Sequence, residues 1–284
     1  MSWPTLPFMA IGSGDQRPLV MGILNVTEDS FSDGGKWFTV ERAIAHGRDL
    51  IAQGADVVDV GGESSRPGAV AVDVDEEIRR VVPVIEALHG EVRLSVDTVK
   101  PEVARAAVAA GVSLINDVSA TLGPVAADLG VGWIAMHRQG TPQTMQDNPR
   151  YVNVVHEVTR FLLERASDAA DRGVGEIWID PGIGFGKTVA HNLTLLGHLD
   201  ELVAHGWPVA VGTSRKMFVG VAGSRSEEIL PVADRLPGSL ATATWAMELG
   251  AGLVRVHDVA ATLHAARLVG PIRRGSEMKV EVAT

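Results

Sequence analysis

The residues of this chain that could do chemistry cluster where short apolar runs end. Those runs close on Asn25, Gly61-Gly62-Glu63, Asp97, Asn116-Asp117, His137, Asp180, Ser214 and Arg255-Val-His257. Any one Asp or Asn at such a place can simply cap the helix that follows. Together they ask for more, because a carboxylate buried without a partner costs several kcal/mol. They sort into two chemical groups. Asp97, Asn116 and Asp180 supply acceptors and one amide; Asn25, Arg66, Lys216, Arg255 and His257 supply donors and positive charge. Such a pocket suits a ligand with a donor-rich heterocycle at one end and an anion at the other. An aminopyrimidinone ring offers adjacent N–H groups that one carboxylate can accept together. Analogues lacking those groups would leave buried acceptors unpaired, which can discriminate by roughly 10⁴-fold.

The stretch that points one acid most clearly is Asp180-Pro-Gly-Ile-Gly-Phe-Gly-Lys187, between the apolar run Glu176–Ile179 and a helical pattern from Thr188. Pro181 stops the strand and the glycines let the backbone turn closely. A nucleotide phosphate loop would need glycine where Pro181 stands, so the lysine at its end is not read as a phosphate ligand. The question is what Asp180 faces.

The elements that must position these residues are legible as a repeat. Eight apolar runs (Leu19–Val26, Asp56–Val60, Val92–Val96, Ser113–Ile115, Val131–Met136, Glu176–Ile179, Val209–Gly212, Leu253–Val256) alternate with amphipathic stretches. The latter span Val40–Gln53, Asp73–Leu88, Pro101–Ala110, Gly123–Leu129, Tyr151–Asp171, Val189–Ala204, Gly238–Leu249 and Val259–Val269. This alternation predicts an α/β fold: a parallel sheet under helical cover, closed into a (β/α)8 TIM barrel. One domain is expected at 19–270, after an irregular lead-in at 1–18 and before a frayed tail at 271–284, where Gly270-Pro271 opens a polar end. Strand ends of a parallel barrel share one rim, where ligands bind. Long loops at 27–39, 61–72, 138–150 and 213–237 are expected there.

Composition narrows the partners. The 284 residues carry a net charge of −10, which argues against a nucleic-acid binder. Any anionic substrate must find a local positive pocket. Without cysteine there is no disulfide and no thiolate chemistry. No apolar run is long enough to span a membrane, and the N-terminus lacks a signal-peptide pattern. The expectation is a soluble, cytoplasmic protein with no nucleic-acid or membrane partner.

At this point the motifs carry a resemblance. Residues Met21–Gly35 (MGILNVTEDSFSDGG) and Asp59–Gly68 (DVGGESSRPG) are similar to the two signature loops of the dihydropteroate synthase family. Ser95–Thr98, Ile115–Val118, Asp180–Lys187, Thr213–Lys216 and Arg255–Asp258 resemble that family's motifs too, in the same order, so the likeness runs from about residue 19 to 270. The resemblance implies condensation of (7,8-dihydropterin-6-yl)methyl diphosphate with 4-aminobenzoate, giving 7,8-dihydropteroate and diphosphate in folate synthesis. It implies Mg²⁺, a TIM barrel and a homodimer. Asp97, Asn116 and Asp180 resemble the pterin-recognising set, Lys216 the lysine lying along the pterin, and Met136 a residue touching it. Asn25 resembles the magnesium-linked residue, and Arg255 and His257 the diphosphate binders. Ser65, Arg66 and Pro67 correspond to the second loop that helps close the aminobenzoate site. Phe185 resembles part of its aromatic wall, and Ser214 lies near the carboxylate. Many relatives have Thr where Ser65 stands; the hydroxyl is kept.

The implied chemistry agrees with the residue types. Diphosphate leaves, so charge developing on it must be stabilised, here by Mg²⁺, Arg255 and His257. A partly reduced, nitrogen-rich pterin can carry positive charge at the departing methylene. A dissociative displacement follows, with neutral arylamine attacking and Asp33 the candidate to receive or balance its proton. A methyltetrahydrofolate–corrinoid methyltransferase would use a similar Asp/Asn set without needing the Arg255–His257 pair or the Ser-Ser-Arg-Pro-Gly loop. A catalytically silent pterin-binding paralogue should have lost loop residues that are present here. Elsewhere His46, His89, His156, His198, His205 and His264 read as surface or packing residues, His191 as a helix-start residue, and Trp133 and Trp178 as core.

Overall fold

The computed structural model describes residues 17–27, 40–64 and 68–274. Eight parallel strands form one sheet: β1 (Leu19–Asn25), β2 (Val57–Gly61), β3 (Arg93–Asp97), β4 (Leu114–Asp117), β5 (Gly132–Met136), β6 (Ile177–Asp180), β7 (Ala210–Val211) and β8 (Leu253–Val256). Their order runs β6-β5-β4-β3-β2-β1-β8-β7. The remaining gap is bridged where Ile179 meets Val209, with the Ile179 N–H donating to the Pro208 carbonyl at 2.9 Å. The sheet therefore comes round as a TIM barrel.

Helices fill the crossovers: α1 (Val40–Ala52), α2 (Val74–Leu88), α3 (Pro101–Ala110), α4 (Gly123–Leu129), α5 (Val154–Asp171), α6 (Val189–Gly197), α7 (Leu199–Val203), α8 (Met217–Ala222), α9 (Leu236–Glu248) and α10 (Val259–Arg274). Pro101 opens α3, where its missing N–H has no cost. Asp73 caps α2 by accepting from Asp75 and Glu76 N–H groups, and Thr188 and His191 form a reciprocal cap on α6. The expected helix at 189–204 is instead two, breaking at His198, where Leu199 and Leu202 are both turned into the core. The stretch 213–237, expected as loop, contains α8 and a 3-10 turn at Val232–Arg235. At six residues α8 is too short to show a period, and burial of Phe218 and Val219 holds it. At the C-terminal end, α10 continues through Gly270-Pro271 to Arg274, past the expected boundary.

Two packing layers explain the barrel. Strand faces turned outward pack Val58, Val60, Val96, Ile115, Ala135 and Ile179 against the helices. Inside, Met21, Val57, Leu114, Ile134, Trp178, Ala210 and Leu253 form a separate apolar plug. The plug is sealed by a buried ion pair, in which Arg93 donates to both oxygens of Glu176 at 3.0 and 2.6 Å and Trp178 Nε1 donates to the same carboxylate at 2.8 Å. Side chains two apart on a strand share a face. The residue two beyond five of these plug residues therefore also points inward: Asp59 after Val57, Asn116 after Leu114, Met136 after Ile134, Asp180 after Trp178 and Arg255 after Leu253. The plug is thus the floor on which a polar pit is built.

Replacing Arg93 by Met should leave Glu176 buried without its cation and cost about 3–5 kcal/mol. Urea unfolding of the purified variant measures this; a loss below about 1 kcal/mol would mean that Glu176 is satisfied without Arg93.

Candidate active site

The pit is organised around Arg255. Its Nε donates to Asp59 Oδ2 at 2.6 Å and its Nη2 to Asp97 Oδ2 at 2.8 Å. Asp59 accepts further from Ser95 Oγ at 2.6 Å and from Asn116 Nδ2 at 2.9 Å. A carboxylate can only accept, so Asn116 gives Asp59 its nitrogen and keeps its carbonyl oxygen for a ligand. The acidic and basic sets read from sequence as two ends of a pocket are here interleaved. The reason is electrostatic: buried carboxylates need counter-charge at hand, and a guanidinium fork can serve two of them. Burial works against the Arg255 charge, yet Asp59 and Asp97 hold it above its ordinary value. For Asp97, burial wins over Arg255, and with Asp59, Glu77 and Asp117 nearby its carboxyl is pushed up to about 7.

Asp180 ends β6 beside Met136 on β5. Its Oδ1 accepts from the Gly182 N–H at 2.7 Å, so the chain folds back over its own acid. Burial raises its pKa, while Lys216, the Gly182 N–H, Lys187 and Arg255 pull it back. Gly182 has φ +65, and a Cβ there would sit 1.8 Å from the His137 carbonyl oxygen. Gly186 is equally bound to its type, at φ +63 with the Gln139 carbonyl 2.3 Å from a built Cβ. These glycines let the loop press against the chain leaving β5.

Lys216 is half-buried, its Nζ donating to the Ile183 carbonyl and lying 4.6 Å from the centre of the Phe185 ring. Burial lowers its pKa to about 8, against the pull of Asp180. Ser214 joins His257 through Oγ and Nδ1 at 3.0 Å and accepts the His257 N–H at 3.2 Å. Arg215, at φ +57, grips Asp258 and donates its own N–H to Ser239 Oγ, which fixes the turn presenting Ser214 and Lys216. Asn25 closes β1 opposite Gly61, at the same rim.

The structure thus brings Asn25, Asp97, Asn116, Met136, Asp180, Phe185, Ser214, Lys216, Arg255 and His257 to one end of the barrel. Asp33, Ser65, Arg66 and Pro67 lie outside the described residues. Asp117 resolves the other way: it accepts the Thr121 and Leu122 N–H groups at 2.7 Å and Trp133 Nε1 at 3.2 Å, a structural duty. Sequence reading missed Asp59, whose signal was a lone acid inside the apolar run Val57-Val58-Asp59-Val60. It noted His137 as a strand end and Lys187 as the end of the glycine run without foreseeing that the two meet in a buried contact at 3.0 Å. Missed as well was Lys100, which bridges Glu63, Glu77 and the Val72 carbonyl under the second signature loop.

Comparisons with known proteins give the chain a family. The pattern of the pterin binding enzyme family matches residues 21–257. The chain therefore belongs to the pterin-binding enzymes. It is 44% identical over 273 residues to dihydropteroate synthase of Escherichia coli, a match covering 93% of this chain and 94% of that one. Among solved structures, dihydropteroate synthase of Xanthomonas albilineans with 4-aminobenzoic acid superimposes with a TM-score of 0.83 at 50% identity, over 90% of this chain and 93% of that one. The same enzyme in complex with 7,8-dihydropteroate gives 0.80 at 47% identity, over 92% and 95%. Within the pterin-binding enzymes the chain belongs to the dihydropteroate synthases, transferases of a pterinylmethyl group.

Gly182→Ala tests the fit of the Asp180 loop. A Cβ driven into the His137 carbonyl at positive φ should destabilise the fold by about 2 kcal/mol or more. Denaturant titration would read this, and wild-type stability would show that the loop has slack.

Proposed function

We propose that this chain condenses (7,8-dihydropterin-6-yl)methyl diphosphate with 4-aminobenzoate, giving 7,8-dihydropteroate and diphosphate for tetrahydrofolate biosynthesis. The observation that carries this reading is the set of inward acceptors, Asp97, the Asn116 carbonyl and Asp180, gathered above one apolar floor. They match the ring N–H groups of a pterin, and Lys216 stands ready for the ring oxygen and nitrogen. Relatives in this family have been crystallised with 4-aminobenzoic acid and with 7,8-dihydropteroate; the Phe185 ring and Ser214 are the residues proposed to receive the aminobenzoate here.

The reaction runs as a dissociative displacement. The methylene–oxygen bond breaks with its electrons going to diphosphate, and the ring nitrogens spread the positive charge left on carbon. The neutral amine of 4-aminobenzoate then forms the carbon–nitrogen bond and gives up one proton, for which Asp33 is the proposed acceptor. Arg255 and His257 stabilise the leaving diphosphate, in a low-dielectric site where fixed charge is most effective. Seating two substrates in one pocket contributes several kcal/mol more. Among the described residues no group of three acids or histidines could hold a metal ion. Mg²⁺ binds through few protein oxygens and keeps water and phosphate ligands. The Asn25 amide oxygen would supply one such ligand, and the ion would neutralise diphosphate charge. A homodimer in the cytoplasm completes the proposal; no described helix is long and apolar enough to cross a membrane.

The reading is tested by incubating the protein with pterin diphosphate, 4-aminobenzoate and Mg²⁺ and following dihydropteroate and diphosphate. Release of both is expected, and neither product forming would overturn it. Asp180→Ala should lower pterin affinity by about a hundredfold or more, as removal of a charged ring acceptor does; an unchanged Kd in calorimetry would remove Asp180 from the site.

Affinity should also depend on pH in both directions. Asp97 accepts ring protons only when ionised, so binding weakens as pH falls below about 7. Lys216 donates fully only when protonated, so binding weakens again above about 8. Pterin Kd measured across this range should pass through a best value between those limits, with the acidic limb lost in Asp97→Asn. A flat profile would contradict these assignments.

A further inference from the structure

We propose that Lys187 is the positioning residue of the ring-reading site: its ammonium locks the Asp180–Lys187 loop onto strand β5 and so holds Asp180 in the orientation that meets the pterin. The inference rests on Asp180 reading that ring.

Lys187 is only 2% exposed. Its Nζ donates to the Gly182 and Phe185 carbonyls at 3.0 Å each and to the His137 carbonyl at 3.3 Å, and meets His137 Nδ1 at 3.0 Å. Three carbonyls can only accept, and an ammonium carries three N–H donors. The charge is therefore the form that satisfies this cage. Burial, with Lys216 adding to it, brings the amine down to about 7 even against the pull of Asp180, which favours the charged form. Enclosing a lysine costs much more than enclosing a methionine of similar length, so a loop that needed only packing would not call for one.

The contacts show how Lys187 reaches the acid. Among the described ion pairs none joins Lys187 to Asp180 directly; the link is Gly182. That residue gives its N–H to Asp180 Oδ1 at 2.7 Å and accepts Lys187 on its carbonyl at 3.0 Å. The rest of the loop is tied down in the same manner. The carbonyls of Ile183, Gly184 and Gly186 accept from Lys216, Gln146 and Tyr151. Lys187 takes the two remaining carbonyls of the 182–186 run, and the His137 carbonyl besides, joining the loop to the end of β5. Gly182 also accepts the Phe185 N–H at 3.1 Å, so without Lys187 the turn keeps that one internal bond but loses its tie to the His137 carbonyl at the end of β5. Asp180 would then be held by a loop no longer anchored to the barrel, and would lose a nearby positive charge.

A double-mutant cycle separates this role from plain structural support. The probe is 6-hydroxymethylpterin, titrated by calorimetry into wild type, Lys187→Met, Asp180→Asn and the double variant, with folding checked by circular dichroism. Lys187→Met should weaken pterin binding by about tenfold or more in the wild-type background and by about twofold or less in Asp180→Asn, the signature of residues acting as one unit. Equal factors in both backgrounds would overturn the inference while leaving Asp180 in the site. Unchanged binding in Asp180→Asn would refute the role of Asp180, and this inference with it. Where Lys187→Met does not fold, Lys187→Gln, which keeps two N–H donors and loses the charge, is carried through the same cycle. The same two outcomes decide it.

Discussion

Charge held out of water at the mouth of a barrel is the constraint on which the rest of this structure depends. Asp59, Asp97 and Asp180 are all buried at one end of the sheet. Two such carboxylates a few ångströms apart repel by about 4 kcal/mol even at an effective dielectric near 20. Arg255 offsets two of them and Lys216 with Lys187 the third. Such an arrangement is stable only if its members cannot relax, and the scaffold supplies that rigidity. The apolar plug beneath fixes the strands, the twofold period of each strand aims the polar residue above it, and paired loops hold the ends. What results is a set of acceptors and cations oriented before a ligand arrives, which is how an active site gains most from electrostatics.

The fold was open to reading because its signals are repetitive. Each of the eight strands lies on an apolar run, and Pro101 and the glycines that follow helices act as ordinary stops. The departures have local causes. At Gly197-His198 the glycine is a stop signal masked by the apolar period running on through Leu199 and Leu202, whose burial in the core sets the turn. The α8 segment is a single short run whose helical state comes from packing Phe218 and Val219, which no period of six residues can reveal.

The site was legible in part for the same reason. Residues standing at strand ends, such as Asp97, Asn116, Asp180 and Arg255, could be assigned to one rim once a barrel was inferred. Asp59 could not, because it lies one turn of the pleat deeper, among valines, and its role is defined by Arg255, nearly two hundred positions away in sequence. Lys187 was hidden differently. In sequence it ends a glycine run, and once Pro181 sets the phosphate-loop reading aside nothing there gives it a role. Only the inward fold of its loop puts the ammonium among three carbonyls. Pairings of this kind depend on contacts across strands, and composition carries no trace of them. The family resemblance supplied the roles; the contacts supply the physical reason that those residues can hold them.

The central claim is that buried acids in the barrel pit grip the bicyclic ring while Arg255 and its neighbours face the diphosphate tail. A crystal of the protein soaked with a pterin tests it most directly. The ring is predicted to lie within hydrogen-bond distance of Asp97, the Asn116 carbonyl and Asp180, above the plug of Trp178 and Leu114. Density for the ring anywhere else, with those three side chains left as they are, would contradict the account.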